Sequence, residues 1–286
     1  LTWWFLLFSI VPLAFLTGYS LVIYENAIDD ELKKRLDLNL RQLDVIVGEN
    51  EKYLTTFGKI RSLDPAFISE VSSGSTVGLR KVVEAWMHNS ISSRITVFED
   101  DGRLRIAFVR GELGDIKQSK LGECEEIYLS ESIVNQLKDK DQAVVREMRP
   151  GEGIELVAYS KILSRKNRQV GILEEIITMD SQVFKTLRNR MKLEVFVLNK
   201  EGQLIVSSED DFKLYPPKFF TEQIAKEKSG FLDLRIRDEP YGFLIRPLAS
   251  SSEMIVGLGA SKGDVKAVLR RITIALFSVF VAIIVL

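Results

Sequence analysis

Gly259-Ala260-Ser261-Lys262-Gly263 has the G-x-S-x-G spacing that raises a nucleophilic serine on a tight strand-to-helix turn. Such a serine needs a general base. The chain has one histidine, His88, and it lies far upstream, out of the usual order. The stretch after Gly263 leads into an apolar segment, so the glycines read as a flexible strand-to-helix junction and the hydrolase reading is rejected. Cys124 sits in Gly-Glu-Cys-Glu-Glu, where the acidic neighbours disfavour a reactive thiolate. One cysteine forms no internal disulfide, and with one histidine it builds no standard zinc site. His88 follows Trp86 and Met87 at the end of a helical stretch, an ordinary place for a cation. Glu99, Asp100 and Asp101 read as solvated charges of a hairpin turn rather than as a calcium loop. No catalytic residue, metal site or cofactor is therefore expected, and the chain reads as non-enzymatic.

The charge distribution says where these residues sit. The 286 residues carry 39 Lys+Arg and 40 Asp+Glu, a net charge of −1 that argues against a nucleic-acid partner. Every charged side chain falls between Glu25 and Arg271. Residues 1–24 form an uncharged run, LTWWFLLFSIVPLAFLTGYSLVIY, which as a helix of ~1.5 Å rise reaches roughly 36 Å and spans a bilayer core of ~30 Å. Trp3 and Trp4 at one end and Tyr19 and Tyr24 at the other have the placing of interfacial aromatic belts, and Pro12 is tolerable in a membrane helix. Ile272–Leu286 is again uncharged but short, and reads as a second span cut before its end, with Arg270 and Arg271 at the water boundary. The expectation is a water-soluble body between two membrane anchors, with the lipid bilayer as one partner and a further part of the protein beyond the second span.

From Ala27 the pattern is that of an amphipathic helix. Ile28, Leu32, Leu36, Leu40, Leu43, Val47, Asn50, Leu54 and Phe57 recur with a mean step of about 3.6 residues. Asp29–Lys33, Asp30–Lys34, Glu31–Arg35 and Asp37–Arg41 are i,i+4 pairs expected on the outer surface. One continuous rod from the membrane to about Ile60 follows. Its apolar stripe can pack on its own domain along some turns and along others form the seam of a parallel homodimer, expected through the membrane-proximal part of the rod, in which Asn50 is a polar seam residue that sets register.

A self-match one hundred residues apart organises the remainder. ITVFEDDGRLRIAF at 95–108 aligns without a gap on VFVLNKEGQLIVSS at 195–208, pairing Ile95 with Val195, Val97 with Val197, Gly102 with Gly202, Leu104 with Leu204 and Ile106 with Val206. Each copy is an apolar run, a polar turn closed by glycine and an alternating run, the pattern of a β-hairpin. A helical stretch precedes each hairpin, with Ser75 and Asp180 as N-caps. A short helix follows each, near 130–138 and 217–227, with Pro216 and Pro217 opening the second. Three further strands are expected in each unit, at 143–148, 154–163 and 168–178, then at 230–237, 240–248 and 253–260. Each unit is thus an α+β module with an antiparallel sheet of about five strands.

This order, on a long N-terminal helix between two membrane spans, resembles the double Cache (dCACHE) extracytoplasmic sensor domain of bacterial transmembrane receptors, a tandem of PAS-like modules. The stretches that carry the resemblance are VFVLNKEGQLIVSS, AYSKILSRKNRQVGILEEI and YGFLIRPLASSSEMIVGLGA. The resemblance implies a first transmembrane helix (1–24), a stalk helix (25–62), a membrane-distal module (63–179), a membrane-proximal module (180–261) and a truncated second transmembrane helix (262–286). It implies a bacterial inner-membrane protein with residues 25–271 extracytoplasmic; the absence of an Asn-x-Ser/Thr sequon is compatible with a periplasm. It also implies a small-molecule ligand and a cytoplasmic output such as a histidine kinase, cyclase or phosphatase. The amino-acid-binding members carry an Arg-x-Trp-Tyr run after the first hairpin; here that place reads AFVRGELGDIKQ, so amino-acid binding is not carried over.

For the ligand, Leu104, Ile106 and Phe108 are expected to share one face of the hairpin, which turns Arg105 to the other. Arg105, Tyr128 and Tyr159 are the candidate ligand contacts. A membrane-tethered protein-interaction scaffold is the rival reading. An enclosed polar cavity in the first module favours sensing, and a filled module with a large exposed apolar patch favours scaffolding.

Overall fold

A computed structural model describes the chain apart from residues 1, 112–113, 120–126, 216–218, 223–229, 249–250, 264–266, 269–270, 276–277 and 279–286. It divides into two compact units, one formed by residues 44–183 and the other by residues 1–43 with 184–286.

The long helix α1 (Thr2–Ser62) runs unbroken through Pro12. Its stripe is buried within the chain: Leu36, Leu40, Leu43, Val47 and Leu54 are all inside. The seam expected for a homodimer along these turns is therefore occupied by the protein's own core, because an amphipathic helix beside a sheet buries its apolar face there first. Of the four expected surface pairs, Asp37–Arg41 forms at 2.8 Å, while Asp29 turns instead to Lys262 at 2.7 Å. Among the described residues no helix is long and apolar enough to cross a membrane. The side chains of residues 1–11, 13, 14 and 17 and nearly all of 276–286 lie outside the described residues, and most of both expected spans with them.

In the first unit α2 (Pro65–Ser73) starts on Asp64, whose carboxylate accepts from Ala66 N and Phe67 N, and ends on Gly74 at φ 79°. Next, α3 (Thr76–His88) is capped by Ser75, as its sequence implied. The strands are β1 (Arg94–Phe98), β2 (Leu104–Arg110) and β3 (Ile116–Gln118), then, after α4 (Glu131–Asp139), β4 (Gln142–Arg149), β5 (Gly153–Leu163) and β6 (Gln169–Met179). They form one antiparallel sheet in the order β3-β2-β1-β6-β5-β4, one strand more than expected. One face carries Ile95, Val97, Ile106 and Phe108 against Phe67, Val71, Leu79 and Val83 of α2 and α3. The opposite face carries Phe98, Val157, Tyr159 and Ile172 against Ile133 and Leu137 of α4.

The second unit repeats the plan. After α5 (Ser181–Met191), capped by Asp180, come β7 (Glu194–Asn199), β8 (Leu204–Ser207), a 3-10 turn (Asp210–Leu214), β9 (Phe231–Ile236), β10 (Glu239–Leu248) and β11 (Ser251–Ser261). The sheet order is β8-β7-β11-β10-β9. The residues expected to open a helix at Pro216 and Pro217 lie outside the described residues.

The two hairpins match turn for turn. Gly102 and Gly202 have φ of 87° and 80°, and each donates its N–H to the carbonyl three residues before, at Glu99 and Asn199. Both hairpins skip a register step at the same place. Val97 pairs with Ile106 and Phe98 with Leu104; Val197 pairs with Val206 and Leu198 with Leu204. Arg105 and Ile205 are the extra residues of two equivalent β-bulges.

Candidate functional site

The bulge at Arg105 decides what faces what. Strict alternation would keep Leu104 with Ile106 and Phe108, but the inserted residue moves Leu104 to the Phe98 face, where it packs with the α4 cluster. Arg105 is released to the α2 side. Its Nη1 donates to the Val71 carbonyl at 2.6 Å, in the last turn of α2, where a cation suits the helix dipole.

On the α4 face three strands bring three polar side chains into one row. Glu174 of β6 stands directly across from Thr96 of β1 on one side and Tyr159 of β5 on the other. Arg94, two residues before Thr96, shares that face; its Nε lies 3.6 Å from Glu174 Oε1 and its Nη2 lies 3.9 Å from Glu155 Oε2. Arg149 Nη2 lies 3.0 Å from Glu147 and 3.1 Å from Glu155. The segment before α4 closes the row from outside. Leu104 N donates to Ile127 O at 2.7 Å and Leu129 N to Gly102 O at 2.9 Å, so the first hairpin turn holds this segment in place. Ser130 then caps α4 with its hydroxyl.

These elements line a half-open cavity of about 250 Å³. Arg94, Thr96, Glu147, Arg149, Tyr159 and Glu174 supply its polar groups, and Phe98, Leu104 and Val157 its apolar floor; Tyr128, 53% exposed, stands at its edge. Burial pushes the Glu174 carboxyl above the usual carboxylate range, with Arg94, Thr96 and Tyr159 pulling the other way. Burial also pushes the Tyr159 hydroxyl up, and the Glu174 charge beside it adds to the effect. Arg94 Nε and Thr96 Oγ1 are buried and have no hydrogen-bond partner among the described residues.

Two of the three sequence candidates, Tyr128 and Tyr159, therefore line one cavity, and Arg105 lies apart from it. Sequence reasoning missed Arg94, Thr96, Glu147, Arg149 and Glu174. Glu174 and Glu175 do carry a signal of their own, as two adjacent acids inside the otherwise apolar run GILEEIITM. Cys124 lies outside the described residues. Ser261 Oγ accepts from Gly263 N at 3.0 Å, and His88 is exposed at the end of α3. The charges of the first turn are used locally, Glu99 with the Arg103 side chain at 2.7 Å and Asp101 with the Arg103 backbone N–H at 2.9 Å.

The second module fills the corresponding place. Phe196 stands where Thr96 stands, and its partner across the sheet is Gly257 in the place of Glu174, followed by Ile245 in the place of Tyr159. A Cβ on Gly257 would lie 2.2 Å from the Phe196 ring, so glycine is what lets the ring lie over the strand. Phe212, Phe220 and Phe243 surround it at 4.8, 5.1 and 5.5 Å between ring centroids. One module has a polar row over a cavity; its repeat has a ring over a glycine.

Two such α+β modules, with a long helix in front of them, have the fold of double-Cache-like sensor domains. Among solved structures that share it are a domain of a sensory box/GGDEF family protein from Vibrio parahaemolyticus (12% identity, 80% of this chain and 97% of that one, TM-score 0.55) and the extracellular domain of a protein described as a histidine kinase (12%, 83% and 96%, TM-score 0.55). A third is the ligand-binding domain of the Campylobacter jejuni chemoreceptor Tlp3, in complex with 4-methylisoleucine (8%, 82% and 91%, TM-score 0.57). No protein-family model matches the sequence, and no curated protein does.

Proposed function

We propose that this chain is the ligand-sensing region of a membrane-bound bacterial receptor. Residues 25–271 are extracytoplasmic, spans within 1–24 and 262–286 cross the inner membrane, and the signal passes to a cytoplasmic output such as a histidine kinase, cyclase or phosphatase. The chain itself performs no reaction; it binds a small molecule through Tyr128, Tyr159 and the charged row around Glu174. The observation that carries this reading is the half-open polar cavity of the first module set against the aromatic plug in its repeat. The shared fold with extracellular receptor domains agrees with it. A scaffold that only docks proteins has no use for buried, incompletely paired charges, which cost stability unless a ligand completes them.

The receptor works as a parallel homodimer in the membrane, with a small displacement of one membrane helix against its partner carrying the signal. Since Leu36, Leu40 and Leu43 are buried in the chain itself, the seam is set by the exposed Leu38 and Val45, seven residues apart on α1.

A thermal-shift screen of small metabolites on the full chain in nanodiscs tests the sensing role. The expected result is a stabilising compound whose effect is lost on Glu174→Gln. No compound shifting the wild type, together with capture of a purified protein partner, favours the scaffold.

A further inference from the structure

In the second unit the segment that enters from the first uncharged run meets the segment that leaves for the second. Asp29 of α1 stands five residues past Tyr24, where the first run ends, and Lys262 directly follows β11, ten residues before Ile272 opens the second. Lys262 is 5% exposed, and its ammonium donates to Asp29 at 2.7 Å and to Asp233 of β9 at 2.6 Å. Its backbone N–H donates to the Pro240 carbonyl at 2.7 Å. Gly242 leaves the room this needs, since a Cβ there would crowd the Phe231 ring, the Lys262 stem and Leu32 of α1 at once. Burial works against the charge of the ammonium, but the hydrogen bonds and charges of Asp233 and Asp29 outweigh it, and the lysine stays charged at neutral pH.

Further along, α1 is held in other ways: Leu36, Leu40 and Leu43 are buried, and Asp37 accepts from Arg246 at 2.6 Å. Before Leu36 the packing is open. A half-open cavity of about 250 Å³, lined by Ile28, Glu31, Leu32, Arg35, Ser261 and Lys262, lies between the helix and the end of β11. Among the described residues Asp29 is the one side chain of α1 before Asp37 that forms an ion pair with another element. The tie between the two segments at this level is therefore the Lys262 ammonium rather than a packed interface.

We infer that Lys262 is a latch that fixes the entering segment to the leaving one, so that the two segments of one chain move together. Its consequence rests on the reading of residues 1–24 and 262–286 as membrane spans: the signalling displacement then arises between the two chains of the dimer, not between the two spans of one chain. A lysine suits the task, because a compact ammonium on a long stem has three donors and can serve two carboxylates at once. The two acids have different jobs. Asp233 lies on β9, in the same sheet as β11, so its bond only seats the lysine within that sheet. Asp29 lies on α1, and its bond closes the latch.

The test reads the separation of the two segments directly. Nitroxide labels are placed at Glu25 and Val268, both exposed, in the full chain carrying Cys124→Ser. The labelled chain is diluted with unlabelled protein in nanodiscs, so that pulsed electron paramagnetic resonance measures distances within one chain. The wild type is expected to give one narrow distribution. Asp29→Asn frees α1 while Lys262 keeps Asp233, and is expected to broaden the distribution about two-fold or more, as a local tie is lost without unfolding. Asp233→Asn takes the same kind of partner from the same ammonium and is expected to leave the width as in the wild type. Both variants are near-isosteric, so the test does not depend on Lys262→Met folding. Equal widths in the wild type and Asp29→Asn, or equal broadening in the two variants, overturns the latch. No ligand is used, so the sensing role stands or falls separately. A chain that does not insert into nanodiscs contradicts the spans, and the same distances in detergent micelles then decide the latch.

Discussion

Glu174 and Glu175 are neighbours on β6 and serve opposite faces of one sheet. Glu174 enters the row across from Thr96 and Tyr159, and Glu175 is fully buried on the other side, where it pairs with Arg61 at the end of α1 and accepts from Ser92 Oγ at 3.2 Å. A single strand therefore touches both the cavity and the end of the long helix α1.

The Arg61–Glu175 pair is the first test of that arrangement. Removing one member strands a buried charge, so Arg61→Met is expected to cost about 3–5 kcal/mol in urea unfolding. Replacing both, as Arg61→Met with Glu175→Leu, should recover most of the loss. A cost below about 1 kcal/mol for Arg61→Met would show that the pair is not buried in solution.

Burial raises the carboxyls of Glu174, Glu175 and Glu194 in the folded protein above their ordinary value near 4.5. The folded state then holds more protons than the unfolded one above that value, so these groups make stability fall as pH rises from about 4.5 through their folded values. Glu174→Gln removes one of them, and its stability relative to wild type should improve steadily between about pH 4.5 and 7.5. A difference that does not change with pH would place Glu174 in water.

Lys262 joins three parts of the second unit. Its ammonium lies 2.7 Å from Asp29 of α1 and 2.6 Å from Asp233 of β9, and 5.0 Å from the centre of the Phe231 ring. Its stem passes over Gly242, where a Cβ would lie 2.8 Å from it. With the lysine buried and its partners part-exposed, Lys262→Met is expected to cost about 1–3 kcal/mol, between the surface and buried cases. Gly242→Ala should also destabilise, since its Cβ would crowd the Phe231 ring at 2.7 Å and Leu32 at 2.9 Å together with the stem, and an unchanged melting temperature in Lys262→Met would dismiss the clamp.

Gly102 and Gly202 close equivalent turns at positive φ, and equal roles predict equal penalties. Alanine at either position is expected to cost about 1 kcal/mol through backbone strain. A Cβ on Gly102 would meet nothing nearer than 3.6 Å, so its cost should come from φ alone. Gly102→Asn should then be milder than Gly102→Ala in the same melting experiment, because asparagine tolerates the left-handed region better.

The proposed dimer is read by single cysteines along α1. Cross-links are expected at positions 38 and 45 and not at 36, 40 or 43, which are buried in the chain itself. Cross-linking with the opposite phase would restore the buried stripe as the seam and imply that the module opens in the membrane.

The elements themselves were legible in the residues: two α+β units one hundred residues apart, their glycine turns, their caps at Ser75 and Asp180, and a helix unbroken to Ser62. These rest on local rules of periodicity, φ and capping, which each short segment carries on its own. Which faces those elements turn to each other was settled by the folded arrangement. The bulges at Arg105 and Ile205 changed the side of Leu104 and Arg105, because alternation holds only until a strand inserts a residue. The stripe on α1 was readable as apolar, yet its partner is the chain's own core rather than a second copy, since period alone names a buried face and not what covers it. The row Thr96–Glu174–Tyr159, and its replacement by Phe196–Gly257–Ile245 in the repeat, exists only once three strands distant in sequence lie side by side.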